Sequence, residues 1–338
     1  MRFKSVWTRQ LHQQVNPKAF ILEDRDLYTI ERTNHLVKID VLSGIQKWSI
    51  KVPDCWGYLT SFSSSLYYMS QHSDLLVIDR ISGEIICDRK VDIADPGYVV
   101  PTGSTFITGG WRGYSNLTCY DLETFNKIWS KQTKSSQLIK FSIPYLLTDR
   151  LLFTANYTNL KIAIFDIRNG DLKFEIDLPT ELDCPDCQRS YRVVDGKITF
   201  VAESGKIFRL SDDFSRLDLE DLQIENIHTT LPFVSGREII FQSKNGCYCL
   251  YDLDKKKVQW EKKIGHNFQS QVYACKLTQD FYAIAGSLGQ IMVVNRNGEQ
   301  IGHLRSEKRI TTPLLTIDDL LIYTNKSEIK VTRFYNLE

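Results

Sequence analysis

The most specific chemical motif in the sequence is a Cys-x-x-Cys pair, Cys184 and Cys187. Two thiols at this spacing can form half of a tetrahedral zinc site, or a redox pair in which one thiol has a lowered pKa. Zinc would need a second pair, for which Cys247 and Cys249 are the only candidates, and a redox pair normally starts a helix in a thioredoxin-like unit, which is not indicated here. We therefore interpret Cys184 and Cys187 as loop thiols and keep a metal or redox site as the alternative.

The rest of the sequence shows no familiar catalytic pattern. Its six histidines form no His-x-x-His or His-Glu-x-x-His motif, and there is no Gly-x-Ser-x-Gly turn or phosphate-binding loop. The glycine-rich segment 109–113 is not a dinucleotide-binding motif, because no helix is predicted after it. We expect no catalytic residue, no bound cofactor and no enzymatic activity.

A second set of candidate residues lies in loops, several of them flanked by glycine, and consists of types enriched at protein-binding hot spots. These residues are Trp56, Tyr58, Trp111, Arg112, Tyr114, Arg189, His266 and Phe268. We predict that they bind another protein. For Trp56 and Trp111 the alternative is that the indole packs between structural repeats, because tryptophan is often buried.

The elements that must position these loops belong to an internal repeat. An alternating apolar segment ends near an aspartate, a short polar turn often containing glycine follows, and a second segment ends near a tryptophan. The turn residues that anchor the repeats are Asp40, Asp79, Asp121, Asp166, Ser211, Asp252, Asn295 and Arg333. Their spacing of roughly forty residues is typical of propeller blades, and the alternation is typical of half-buried strands.

Each repeat is predicted to form one blade of four antiparallel strands. The blades are predicted at about 19–51, 56–92, 97–132, 141–178, 188–219, 228–263, 269–305 and 309–334. The last repeat lacks a fourth strand, and the alternating segment 2–9 can supply it, which removes an exposed strand edge. The sequence therefore predicts an all-β, eight-bladed propeller that forms a single domain over 1–338.

The order of strands in a blade predicts where the candidate residues lie. The loop between strands 2 and 3 and the segment that crosses to the next blade emerge on one face, whereas the 1–2 and 3–4 turns emerge on the other. Segments 54–58, 183–189 and 265–268 are predicted crossings, and 110–114 is a predicted strand 2–3 loop, so all candidates share one face. We interpret the basic run Lys255–Lys257 on the opposite face as a solvated hairpin tip.

The spacing of Asp40, Gly44 and Trp48 resembles the repeat of the pyrroloquinoline-quinone-like (PQQ-like) propeller superfamily. That superfamily includes quinoprotein dehydrogenases and the lipoprotein propeller of outer-membrane protein assembly, and eight blades are common in it. The resemblance implies the fold for nearly the whole chain. It does not by itself imply a function.

Quinoprotein dehydrogenases hold a calcium ion beside the quinone, use an aspartate as base, and stack a disulfide between adjacent cysteines on the cofactor. The present sequence has no adjacent cysteine pair. A quinone- or metal-dependent enzyme at the central channel is therefore kept only as an alternative.

The charge and composition of the sequence exclude some of the remaining classes of function. Forty-two Lys and Arg against 41 Asp and Glu give a net charge of +1, which argues against a protein that coats nucleic acid or an anionic membrane. We find no apolar run long enough to span a membrane and no leader pattern, and the eight cysteines are scattered as in reduced proteins. We expect a bacterial, cytoplasmic, protein-binding scaffold or adaptor, with an immunity protein that caps a toxin as the alternative.

Overall fold

The structure, a computed structural model, describes residues 2–11, 15–93, 96–110, 117–131, 142–156, 160–182, 191–194, 196–202, 204–221, 227, 233–243, 245–263, 273–286 and 288–335. Over these residues the chain forms eight antiparallel sheets of four strands each. In seven sheets the strands follow one another in chain order, and the eighth combines both ends of the chain. The predicted fold, an eight-bladed β-propeller, is confirmed.

The first four blades contain strands of similar length. Blade 1 consists of β2 (Phe20–Glu23), β3 (Asp26–Glu31), β4 (His35–Asp40) and β5 (Gln46–Lys51), and blade 2 of β6 (Tyr58–Phe62), β7 (Ser65–Met69), β8 (Asp74–Asp79) and β9 (Ile85–Lys90). Blade 3 consists of β10 (Pro96–Pro101), β11 (Thr105–Gly110), β12 (Leu117–Asp121) and β13 (Lys127–Lys131), and blade 4 of β14 (Tyr145–Leu146), β15 (Leu151–Asn156), β16 (Lys161–Asp166) and β17 (Leu172–Asp177).

The remaining blades follow the same plan. Blade 5 consists of β18 (Arg192–Val194), β19 (Lys197–Val201), β20 (Lys206–Leu210) and β21 (Leu217–Asp221), and blade 6 of β22 (Phe233–Ser235), β23 (Glu238–Gln242), β24 (Cys247–Asp252) and β25 (Lys257–Lys263). Blade 7 consists of β26 (Ala274–Lys276), β27 (Phe281–Ala285), β28 (Gln290–Asn295) and β29 (Gln300–Arg305), and blade 8 of β30 (Leu315–Ile317), β31 (Leu320–Thr324), β32 (Glu328–Tyr335) and β1 (Arg2–Gln10).

The chain divides into two compact units. One consists of 1–47, 191–209 and 219–338, and the other of 48–190 and 210–218. In both units the apolar cores lie between consecutive blades: one cluster joins blades 3 and 4 in the second unit, and another joins blades 6 and 7 in the first. Consecutive blades thus bury each other's apolar faces. That residues 1–338 form a single domain stays a prediction.

The turn between strands 3 and 4 follows from its sequence. In blade 1 the Asp40 carboxylate accepts hydrogen bonds from the backbone N–H of Ser43 at 2.9 Å and from the Ser43 hydroxyl at 2.8 Å. Gly44 follows with a φ of +73°, in the left-handed region that favours glycine. The predicted Asp-x-x-x-Gly turn is therefore a self-capped hairpin.

The tryptophan of the repeat packs on the glycine of the following blade. A Cβ atom added to Gly170 of blade 4 would lie 2.7 Å from the ring of Trp129 in blade 3, and one added to Gly83 would lie 2.8 Å from the Trp48 ring. The same contact joins Trp260 of blade 6 to a glycine of blade 7. The Trp129 indole N–H also donates to the carbonyl of Ile167 at 2.5 Å. Where the repeat keeps both residues, one blade therefore supplies the indole and the following blade supplies the glycine.

Where the tryptophan is missing, the glycine is missing as well. Blade 4 has Phe174 in place of tryptophan, and blade 5 has Phe214 at the turn position, with a φ of +60°. The two rings meet edge to face with centroids 6.1 Å apart. Between blades 4 and 5, a contact between two aromatic rings thus takes the place of the contact between an indole and a glycine.

The N-terminal strand completes the last blade, as predicted. β1 pairs antiparallel with β32, from Arg2 opposite Tyr335 to Gln10 opposite Glu328. Trp7 in β1 supplies the indole for blade 1, because its ring would lie 2.8 Å from a Cβ at Gly44, and its N–H donates to the carbonyl of Val41 at 2.7 Å.

Deleting residues 1–9 should destabilise the protein strongly. The deletion exposes the edge of β32 and removes the indole that covers Gly44, so we expect aggregation or a large fall in melting temperature, measured by thermal unfolding and light scattering. Lys4→Ala, at an exposed position of the same strand, serves as the control and should melt like the parent protein. An unchanged melting temperature in the truncated protein would contradict the role of β1.

Candidate protein-interaction surface

Two of the predicted binding residues, Trp56 and Tyr58, are described by the structure. Trp111, Arg112, Tyr114, Arg189, His266 and Phe268 lie outside the described residues, as do Cys184 and Cys187. The geometry of the site therefore concerns the segment that crosses from blade 1 to blade 2 and the loops of the same unit next to it.

The crossing segment is organised around the buried carboxylate of Asp54. Its Oδ1 accepts hydrogen bonds from the backbone N–H groups of Trp56 at 2.7 Å and Gly57 at 2.8 Å, and from the Tyr68 hydroxyl at 3.0 Å. Its Oδ2 accepts from the backbone N–H of Gln71 at 2.8 Å. Four donors from the crossing segment and from blade 2 therefore hold one carboxylate, and we name these five residues the Asp54 cluster.

Gly57 and Tyr68 fix the same segment sterically. Tyr68 is fully buried, and a Cβ added to Gly57 would lie 2.3 Å from the Tyr68 ring. The single proton of the Tyr68 hydroxyl is shared between the Asp54 carboxylate and the backbone carbonyl of the same residue, which lies 2.7 Å from the hydroxyl oxygen. Burial, together with the charge of Asp54, raises the pKa of Tyr68, so the phenol stays protonated and continues to donate.

The side chains of Trp56 and Tyr58 differ in their exposure to solvent. Tyr58 begins β6, is half-buried, and packs against the apolar clusters of blades 2 to 4. Trp56 is 46% exposed although its backbone is held by Asp54. Trp56 is therefore an accessible aromatic side chain on a fixed backbone, whereas Tyr58 contributes mainly to the core.

The neighbouring loops of blades 2 and 3 are tied to one another in a similar way. Between β7 and β8, the Ser73 hydroxyl donates to the carbonyl of Ile93 in the next crossing segment. The Tyr120 hydroxyl of blade 3 donates to the carbonyl of Asp92 in that segment, at 2.7 Å. We call segments 53–57, 70–73 and 91–93 the crossing surface.

The opposite ends of the blades carry charged side chains. Lys255, Lys256 and Lys257 are all exposed, as predicted for a solvated hairpin tip. Lys255 pairs with Asp252 of its own turn at 3.3 Å. Such an exposed pair contributes little to stability.

A buried ionic cluster at the same ends joins blades 6 and 7, and nothing in the sequence indicates it. Glu238 is 5% exposed and accepts from Lys276 at 3.1 Å, from Arg296 at 2.7 Å and from the Tyr282 hydroxyl. Burial alone disfavours the charge of Glu238, but the hydrogen bonds from these three side chains outweigh it and hold the pKa of the carboxyl below its usual value.

The cysteines in the described part of the chain are embedded in strands or half-buried. Cys55, Cys87, Cys119, Cys247, Cys249 and Cys275 form no disulfide with one another. Burial raises the pKa of Cys119 to about 11 and that of Cys249 to about 12, and it also raises the pKa of Cys275. These three thiols are poor nucleophiles, as expected of structural cysteines.

A scan against protein-family models matches residues 71–330 to PQQ_2, the family described as outer membrane protein assembly factor BamB. The chain belongs to this family. The match confirms the resemblance to PQQ-like propellers that the spacing of Asp40, Gly44 and Trp48 indicates.

Solved structures similar to this family member share its fold at low sequence identity. BamB from Moraxella catarrhalis is 14% identical with a TM-score of 0.70, over 100% of this chain and 99% of that one. The computationally designed Ika8 protein is 12% identical with a TM-score of 0.71, over 96% and 98%. Quinohemoprotein alcohol dehydrogenase from Comamonas testosteroni is 10% identical with a TM-score of 0.64, over 98% and 76%. No curated protein sequence matches significantly.

The described residues of this family member show no acidic or thiol cluster that would hold the metal ion of a quinone site. No three His, Cys, Asp or Glu side chains in the described ranges are grouped so that they could hold a metal ion, and no two cysteines are adjacent in the sequence. We therefore derive no reaction step through a quinone. No helix of the described residues is long and apolar enough to cross a membrane.

Neutralising Glu238 should change how stability depends on pH. Because the folded-state pKa lies below the ordinary value of 4.5, the contribution of Glu238 is complete above pH 4.5 and is lost as pH falls through the folded value. Glu238→Gln should flatten this part of the curve of melting temperature against pH, whereas exposed Glu123→Gln should leave it unchanged. Glu238→Ala should cost about 1–3 kcal/mol at neutral pH, because it leaves the buried Tyr282 hydroxyl without its acceptor. Unchanged curves in all three variants would contradict the role of Glu238.

Alkylation should separate the thiols by burial. In the native protein Cys119, Cys249 and Cys275 should stay unmodified, because they are buried and have raised pKa values, whereas denatured, unreduced protein should show all eight thiols by mass spectrometry. A chelator should leave the melting temperature unchanged. Six reactive thiols after denaturation, or a melt sensitive to chelator, would instead indicate chemistry at Cys184 and Cys187.

Proposed function

We propose that the protein is a non-catalytic scaffold that binds another protein through the crossing surface. Its membership of a family described as an assembly factor supports a protein-binding role. BamB of Moraxella catarrhalis, which resembles this chain over its full length, also supports it. A quinohemoprotein dehydrogenase shares the fold as well, so the site rather than the fold must carry the argument.

The observation that carries the proposal is the exposed indole of Trp56, whose backbone is held within the Asp54 cluster. An aromatic side chain on a fixed backbone loses little conformational entropy on binding and supplies a large apolar area, and tryptophan is among the residues enriched at hot spots. Here four hydrogen bonds to one carboxylate fix the backbone, while the side chain remains 46% exposed. That Trp111, Arg112, Tyr114, Arg189, His266 and Phe268 also bind the partner stays a prediction.

The cellular setting of the scaffold is part of the proposal. A bacterial cytoplasm is supported by the scattered, strand-embedded cysteines, which fit a reducing compartment. An immunity protein that caps a toxin is the other protein-binding function for such a chain, and the identity of the captured partner distinguishes the two. A quinone- or metal-dependent enzyme would show a chromophore or a stoichiometric metal in the absorption spectrum and metal analysis of the purified protein.

Replacing Trp56 should weaken partner binding without unfolding the protein. We expect Trp56→Ala to cost about 1–4 kcal/mol in affinity, as hot-spot truncations do, measured by calorimetry with a partner isolated from native lysate. The melting temperature should change little, because the indole is half exposed and Asp54 bonds to the backbone rather than to the ring. The control is a triple alanine replacement of Lys255–Lys257, which should alter only the salt dependence of association.

The outcome can contradict the proposal in two ways. A stably folded Trp56→Ala variant with full affinity would remove this part of the crossing surface from the binding site. A triple-alanine variant that loses binding would place the interaction at the hairpin tips instead.

A further inference from the structure

Blades 7 and 8 pack their loops against one another at the end where the chain crosses between them. The backbone N–H of Ser306, in this crossing segment, donates to the carbonyl of Gly289 at 2.9 Å. A Cβ added to Gly289 would lie 2.5 Å from the carbonyl oxygen of Lys308. The Asn325 side-chain amide donates to the Ser306 hydroxyl at 2.8 Å. The crossing segment is therefore fixed between the strand 2–3 loops of both blades, and we call segments 288–290, 305–309 and 325–330 the basic surface.

The basic surface concentrates positive charge. It contains five Lys and Arg residues and two glutamates, an excess of three positive charges, whereas the whole chain has a net charge of only +1. The described parts of other crossing segments, at 15–19, 52–57, 91–93 and 178–182, carry one charged residue each, and segment 305–309 alone carries four. The positive excess is therefore a feature of this end of blades 7 and 8 and not of the repeat.

Both glutamates of the basic surface act on the same lysine. Glu328 pairs with Lys330 at 2.9 Å. The hydrogen bond to Glu328, with a smaller contribution from the charge of Glu307, raises the pKa of Lys330 above its usual value.

The other basic side chains of this surface are exposed and form no ion pair with another residue in the described part of the chain. These four residues are Arg305, Lys308, Arg309 and Lys326. Like charges that are held on neighbouring fixed loops repel one another. An anionic partner relieves this repulsion, so the surface is electrostatically complementary to an acidic ligand.

The loop of blade 7 adds an apolar side chain to the basic surface. Leu288 is 50% exposed and precedes Gly289, whose φ is +90°. Four other described strand 2–3 loops also turn through a residue of positive φ. The residue before it is polar in each of them, namely Thr33, His72, Ser204 and Asn245. The fold therefore does not require a leucine at this position.

We propose that the basic surface binds an acidic segment of a partner protein that carries an apolar side chain among its carboxylates. The carboxylates pair with Lys308, Arg309 and Lys326, and the apolar side chain covers Leu288. Leu288 belongs to the same contact because its neighbour Gly289 packs on the backbone of Lys308. The basic surface does not include Trp56 and belongs to the other compact unit, so this proposal does not depend on the proposed function.

Charge and apolarity together favour a protein partner over a nucleic acid or an anionic membrane. A protein that coats either polyanion needs a large basic surplus, and this chain has a net charge of +1. Removing Leu288 from water stabilises a complex only if the partner places an apolar group against it. An acidic protein segment can do so, whereas a sugar-phosphate backbone or a lipid headgroup presents only polar atoms.

Fluorescence anisotropy on the full chain tests the proposal with two labelled peptides of equal length. One consists of glutamates with interspersed leucines, and the other has serine in place of each leucine. The parent protein should bind the leucine peptide more tightly, and added salt should weaken the binding of both. Lys308→Glu combined with Arg309→Glu should weaken binding by about tenfold, because it reverses the charge that attracts the peptide. The matched control is Lys255→Glu combined with Lys256→Glu, the same change of charge at the hairpin tip of blade 6, which should bind like the parent.

A replacement of Leu288 tests the apolar part of the contact. Leu288→Ser gives blade 7 the residue that blade 5 has at the same loop position, so the variant should fold like the parent. It should bind the leucine peptide no more tightly than the serine peptide, and its affinity for the serine peptide should be unchanged. Circular dichroism and thermal melting of all variants establish that the fold is intact.

Several outcomes would overturn the proposal. These are absence of binding to both peptides at low salt, a Lys308–Arg309 variant that binds like the parent, or a control that loses binding equally. Equal affinity of the parent for the two peptides would contradict the role of Leu288. Single-stranded DNA and phosphatidylserine vesicles serve as further probes. If either binds more tightly than the leucine peptide and is lost in the Lys308–Arg309 variant, the ligand is that polyanion and not a protein segment.

Discussion

The contact of an aromatic ring with the turn of the following blade is the interaction on which this structure depends. A four-stranded blade cannot bury both of its apolar faces alone, so each must be covered by a neighbour. The indole on the fourth strand of one blade covers part of the next blade. It fits there only because the turn that it contacts has a glycine: a Cβ at Gly298 would lie 2.5 Å from Trp260. The Asp-capped turn thus has two purposes, since it reverses the chain and also presents a bare backbone to the preceding blade.

This dependence explains why the repeat can diverge so far and keep its fold. Only blade 1 has aspartate, glycine and tryptophan at all three positions. Elsewhere other residues make the contact, as between Phe174 and Phe214, where a ring packs on a ring. Between blades 6 and 7 the Glu238 cluster adds an ionic contact to the indole. The constraint therefore acts on pairs of positions in consecutive blades. For this reason the sequences of the repeats differ from one another more than the contacts between the blades do.

The sequence could predict whatever depends on local spacing. The alternation predicted the strands and the forty-residue interval predicted the blades. The missing fourth strand of blade 8 indicated residues 2–9, where β1 is found. It could not predict interactions between distant residues. Trp7 is separated from Gly44 by most of blade 1 and lacks an aspartate turn before it, so its equivalence to Trp48 shows only in the fold. Asp54 likewise looks like any loop aspartate, because the donors that bury it include Tyr68 and Gln71 of the next hairpin.

The two ends of the blades differ in what holds them, and this difference decides where variation is tolerated. The 3–4 turns are capped by their own side chains, as Asp40 caps the turn through Ser43, so a neighbouring blade constrains them only at the position that the preceding aromatic ring covers. The crossing segments in blades 2 and 3 are instead tied by hydrogen bonds to other loops, through Asp54, Ser73 and Tyr120. A loop whose backbone is fixed from outside can present a large side chain such as Trp56 without spending conformational entropy on holding it.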